Sequence, residues 1–278
     1  MAVGVFAIVL FAAALHASWN AIVKGGSDKL LTTVLVTTSA TLIGVLTLPW
    51  LPQPAAVSWP FIFASSFFQV AYFMLLARTY QVADMSQTYP LMRGTAPLLV
   101  AIVSALALGA RLTATMWIGV GIICLGILGM ATGNRRGNRL GVTFALLNAV
   151  VIAGYTLIDG LGVRRSGAPA AYTLWIFVVT GVPLAAWALR RRGSSHLADY
   201  VRRNWRFGLI GGVGTLASYG LALWAMTVAP IAVVAALRET SILFGVIISG
   251  LLLKEHVGLA RLAAACTIAV GAAVLRLA

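Results

Sequence analysis

The sequence holds six acidic side chains, and only Asp159 and Glu239 fall inside stretches apolar enough to cross a bilayer. Asp28, Asp84, Asp199 and Glu255 fall in or beside the connections. Arg93 and Arg238 are the matching intramembrane cations. A charge at the centre of a membrane helix costs about 2.5–3.5 kcal/mol on insertion scales, so each of these four is a candidate for function. Arginine pairs can hold a carboxylate and Glu239 can meet an ammonium, which is the chemistry of binding rather than of bond breaking. Glu239 follows Arg238 directly, so the two point about 100° apart on a helix and do not pair face to face. Glu239 therefore needs another partner, or a proton. Asp159 stands near Arg164 and Arg165 in sequence and reads as half of a surface ion pair, with a coupling role as the alternative. The bland reading of the arginines is that they snorkel to headgroups or cap broken backbone.

Polar groups recur on single helical faces around these charges. His16, Trp19 and Asn20 share one face of the first segment; Tyr155, Thr156 and Asp159 share one face of the sixth. Gln69 and Tyr72 form a stripe in the third, Thr215 and Tyr219 in the eighth, and Tyr89 lies one turn before Arg93 in the fourth. Aromatic stripes usually mean packing, but polar atoms accompanying them on repeated faces point to a central cavity. The candidate binding set is Trp19, Asn20, Gln69, Tyr72, Tyr89, Arg93, Tyr155, Tyr219, Arg238 and Glu239. Glu239, His16 and Asp159 are the candidates for proton coupling.

The elements that must position these groups are membrane helices. Of 278 residues, 61% are hydrophobic and 9% charged, against roughly a quarter charged in soluble domains. That excludes a soluble enzyme, a disordered chain and a disulfide scaffold. The net charge of +14 could suggest nucleic acid, but the basic residues cluster between apolar segments, at 133–139, 164–165 and 190–206. Ten segments of about 20 residues fit the length, and the expected helices are 2–23, 30–51, 59–80, 85–108, 113–132, 140–162, 169–189, 207–228, 231–253 and 257–276. The stretch 2–23 reads as a retained first helix, since no basic residue precedes Lys24. The arginine-rich loop 190–206 reads as an interfacial amphipathic stretch. Cys124 and Cys266 lie in apolar runs as inert thiols; no metal cluster, cofactor motif or phosphate loop is present in the sequence. Small residues on the fifth and tenth segments, Gly119, Gly126 and Gly271 among them, mark scaffold helices and leave a homodimer face open.

A shift of 145 residues lays the segment that begins Arg93-Gly-Thr on the one that begins Arg238-Glu-Thr, with Leu, Ile, Ser and two more Leu also repeated. The chain is therefore expected as two repeats, 1–133 and 134–278. Five helices each make the second inverted relative to the first, with a site near the midplane. Ten crossings put both ends of the chain on one side.

Three stretches carry a resemblance: Ser18-Trp-Asn, the run APLLVAIVSALALGARL from Ala96 and its echo SILFGVIISGLLLKEH from Ser241. The sequence resembles the drug/metabolite transporter superfamily, the EamA-type ten-helix permeases, with YddG-type amino-acid exporters as neighbours. The family's Gly-Glu-basic pattern after the fourth helix is Gly109-Ala110-Arg111 here, and the acid remains only at Lys254-Glu255. The resemblance implies an inner-membrane secondary transporter that exports small amphipathic metabolites. Amino acids are favoured; other metabolites or drugs, or a non-transporting scaffold or receptor, are the alternatives. Counting Lys and Arg, the odd connections and their flanks hold 14 and the even ones with the C-terminal end hold 4, with Arg93 and Arg238 set aside. This charge bias places both ends outside the cell, whereas the resemblance implies ends in the cytoplasm.

Overall fold

The computed structural model describes residues 1–130, 139–251 and 258–278. The basic run at 133–138 and the pair Lys254-Glu255 lie outside them. The described residues are almost wholly helical, because a backbone in hydrocarbon must satisfy its own hydrogen bonds. The helices are α1 (Val3–Gly25), α2 (Lys29–Thr47), α3 (Trp59–Val82), α4 (Met85–Leu106), α5 (Ala114–Gly129), α6 (Arg139–Ser166), α7 (Pro169–Arg192), α8 (Ser194–Val228), α9 (Ile231–Arg238), α10 (Ser241–Leu251) and α11 (Leu259–Leu277). Among the described residues, counting α9 and α10 as one crossing, nine spans are long and apolar enough to traverse a membrane, and the shorter apolar α5 is the tenth segment. Asp28 caps α2 through Leu31 N and Thr113 caps α5 through Met116 N. Pro60 and Pro169 open α3 and α7, where their missing N–H groups are no loss.

The helix pairings interchange between the halves. α1 packs on α8 as α6 packs on α3; α4 packs on α6 as α9 and α10 pack on α1. α2 meets α7 and α5 meets α11 across the centre. The Arg276 guanidinium donates to Met1 O at 3.1 Å, so both ends of the chain lie on one face, as an even number of crossings requires. The halves are not equivalent in detail. α8 packs against α6 and α7, whereas α3 makes no comparable contact with α1 or α2.

Three expectations need correction. The stretch 190–206 is not a loop: α7 runs to Arg192, Gly193 alone makes the turn with φ +79°, and α8 begins at Ser194. At 1.5 Å per residue its 35 residues span about 52 Å, well beyond a hydrocarbon core of about 30 Å. The extension docks on the start of α2, where Tyr200 Oη meets Thr32 Oγ1 at 2.7 Å. Second, the ninth crossing is broken. Glu239 N and Thr240 N bond back only three residues, to Ala236 O and Leu237 O, and Ile242 N bonds to Glu239 O, so the helix tightens and restarts. Third, the small-residue faces of α5 and α11 are turned toward each other. A methyl on Gly119 would sit 3.2 Å from Gly271 O, and one on Gly271 would sit 3.0 Å from Gly119 O. Glycine permits that approach, and those residues are covered within one chain.

Candidate functional site

The break between α9 and α10 carries the two charged residues that the sequence singled out. α9 is buried along Ile231–Leu237 against the central core. Glu239, 5% exposed, lies at its C-terminal end. Arg93 of α4, 8% exposed, donates from Nε to Glu239 Oε2 at 2.8 Å. Glu239 thus has its partner, and it is the repeat mate of its own neighbour: Arg93 overlays Arg238 under the 145-residue shift. The terminal nitrogens of Arg93 bond to no other described residue. Arg238 has no acceptor among the described residues; its guanidinium carbon lies 5.0 Å from the centre of the Tyr219 ring, a cation–π contact.

Asp159 overturns its expected surface ion pair. It is 0% exposed, and its carboxylate accepts from Tyr219 Oη at Oδ2 and from Tyr172 Oη at Oδ1, 3.3 Å in the latter case. Arg164 instead turns to the end of α8, donating to Met226 O and Ala229 O, each at 2.7 Å. Arg165 stacks on Phe61 with its guanidinium carbon 4.9 Å from the ring centre. The reason is angular. At 100° per residue, positions 164 and 165 lie about 140° and 240° around the helix from 159.

Around these charges stand aromatic side chains set deep in the fold. His16 meets Trp19 edge to face at 5.2 Å, and Tyr72 meets Tyr155 in the same manner at 6.2 Å. His16 lies within electrostatic reach of Arg93 and Arg238, and Tyr155 within reach of both arginines, Glu239 and Asp159. The phenol rings of Tyr72, Tyr89 and Tyr155 lie within electrostatic reach of Arg93. Trp19 Nε1 is buried without a partner among the described residues. Asn20 and Gln69 are less committed to the charges. Asn20 donates to His16 O of its own helix at 2.7 Å, and Gln69 to Ser65 Oγ at 3.2 Å.

Arg93, Arg238, Glu239, Tyr72, Tyr89, Tyr155, Tyr219, His16 and Asp159 are therefore gathered into one polar region, with Trp19 at its edge. Sequence reasoning missed Tyr172 and Ser65 at Asp159. The short turn at Gly167 brings Tyr172 back beside α6, a hairpin signal that one could have followed.

Among the described residues, ten apolar helical segments in two related halves around a buried cluster of charged and aromatic side chains define a multi-pass membrane protein. The chain belongs to the EamA-like transporter family, whose profile matches residues 3–132 and, a second time, 139–277. Membership makes it a membrane transporter of small metabolites in a family of transporters, not enzymes. One solved structure, described only as a crystal structure of a protein, superposes with a TM-score of 0.72 at 18% identity, covering 98% of this chain and 95% of that one. At that identity the likeness speaks to the fold. No curated protein matches the chain in sequence.

Proposed function

We propose that the protein is a secondary transporter of the cell's inner membrane that exports small amphipathic metabolites, amino acids foremost, by alternating access between halves 1–133 and 134–278. The observation that carries this reading is the buried Arg93–Glu239 pair beside an Arg238 with no anionic partner among the described residues. The pair is a template for a zwitterion. An α-carboxylate fits the terminal nitrogens of Arg93 and the guanidinium of Arg238, and an α-ammonium fits Glu239. The side chain then rests on Tyr72, Tyr89, Tyr155 and Trp19. Most of the chamber wall is aromatic with few convergent charges, as small-molecule sites are. The unequal packing of α3 and α8 within their halves is the asymmetry that alternating access would exchange. Export follows from the family resemblance.

Binding by the purified protein tests the template. Phenylalanine is compared with its amide, which lacks the carboxylate, and its N-acetyl derivative, which lacks the ammonium. A hydrogen bond to a charged group contributes about 1.5–3 kcal/mol, so either block weakens binding by about 10- to 100-fold. Equal binding of all three would remove the template.

A further inference from the structure

We propose that the chamber also carries small monocarboxylates that have no ammonium group, each together with one proton lodged on Asp159. The proposal rests on the reading above for where a carboxylate sits, and it adds a second class of cargo and a residue for the proton.

Two basic and two acidic side chains are gathered at that site, Arg93 and Arg238 against Glu239 and Asp159, and with all four ionised their charges sum to zero. A zwitterion leaves that sum unchanged. A monocarboxylate makes it negative, and an uncompensated charge is disfavoured in the bilayer interior. One proton taken from the aqueous side restores neutrality when the anion binds, and returns to water when it leaves.

Asp159 is the group built to take that proton. Glu239 is unsuited, because it holds Arg93 Nε at 2.8 Å and a proton there would strip Arg93 of its counter-ion. His16 is unsuited, because a proton there would add a third cation within reach of both arginines. The groups facing Asp159 are Ser65 from α3, Tyr172 from α7, Tyr219 from α8 and Arg238 from α9. Its hydrogen-bonding neighbours on the other helices are two phenols and the Ser65 hydroxyl, not cations. A hydroxyl donates or accepts by turning, so a protonated Asp159 keeps the same neighbours and donates to one of them. At 0% exposure it admits no solute ammonium, only a proton passed along a hydroxyl.

Tyr219 joins the two ligands. Its hydroxyl meets Asp159 and its ring face carries Arg238. Neutralising Asp159 leaves Arg238 as unbalanced positive charge, which strengthens its hold on a carboxylate, and linkage makes the effect reciprocal.

The test compares phenylalanine with phenylpropionate, its deaminated analogue, on the purified full chain in weakly buffered detergent solution. Expected are uptake of about one proton per phenylpropionate bound and none per phenylalanine. Phenylpropionate affinity should rise toward about tenfold per unit fall in pH. Asp159→Asn, which resembles the protonated carboxyl, should bind phenylpropionate with no proton uptake and no pH dependence. Tyr219→Phe, a smaller change, should flatten the pH dependence without removing it. Phenylpropionate binding without proton uptake, or uptake that persists in Asp159→Asn, would overturn the proposal. If phenylalanine binds and phenylpropionate does not, this proposal alone falls. If phenylpropionate binds with a proton and phenylalanine does not, the zwitterion reading alone falls.

Discussion

Removing either half of the Arg93–Glu239 pair leaves the other charge uncompensated inside the protein. The two side chains are 8% and 5% exposed and meet at 2.8 Å. Breaking a buried pair from one side costs about 3–5 kcal/mol, whereas replacing both partners by apolar residues of similar volume is often neutral or stabilising. For a chain of this size about 2–4 °C of melting temperature accompanies each kcal/mol. Arg93→Met or Glu239→Leu alone should therefore lower the melting temperature by roughly 10 °C, and the double variant should recover it. The assay is thermal unfolding of all four proteins in one detergent, followed by solute exchange in liposomes. Exchange should be absent from all three variants, because the double variant repairs the fold and not the template. A double variant no more stable than the singles would refute the pairing. A double variant that still exchanges amino acids would refute the functional role assigned to it.

Trp19→Ala and Tyr72→Ala should weaken exchange and shift preference toward smaller side chains, read by competition across an amino-acid panel. Gly119→Val should push α5 from α11 and lower stability by about 1–3 kcal/mol, with solute binding by the folded fraction unchanged; unaltered stability would contradict the close approach at Gly271. Orientation is read by single cysteines at Ser194 and Ala56, both exposed, in a background lacking Cys124 and Cys266. Ala56 replaces the obvious choice, Ser166, which is buried and bonded to Val163 O, and lies on the same face, since Ala55 N bonds to Ser166 O at 2.9 Å. With the basic connections in the cytoplasm, an impermeant thiol reagent on whole cells should label position 56 and not 194.

The helices were legible because twenty apolar residues are needed to cross lipid, and that length is written plainly along the chain. What lies outside the lipid was less so. Residues 194–206 carry arginines and low hydropathy, yet they continue α8 because nothing after Gly193 breaks the helix. The break at Glu239 and Thr240 has no proline or glycine to announce it; it is made by tightened hydrogen bonds. The repeat identified Arg93 and Arg238 as a pair of equivalents, but the Arg93–Glu239 contact joins residues 146 apart and depends on how α4 crosses α9. The sequence neighbours of Asp159 point to an ion pair that the fold does not make. The partners of Asp159 come from α3, α7 and α8; Tyr172 follows from the hairpin at Gly167, while Tyr219 and Ser65 arrive by tertiary packing.

The central claim is carriage of amino acids on the two arginines. Its most direct test is counterflow in proteoliposomes loaded with unlabelled phenylalanine, with labelled phenylalanine outside and Arg238→Ala as the comparison. Label should enter rapidly with the unaltered protein and not above empty liposomes with Arg238→Ala, at equal insertion. Label that enters equally with both proteins would contradict it.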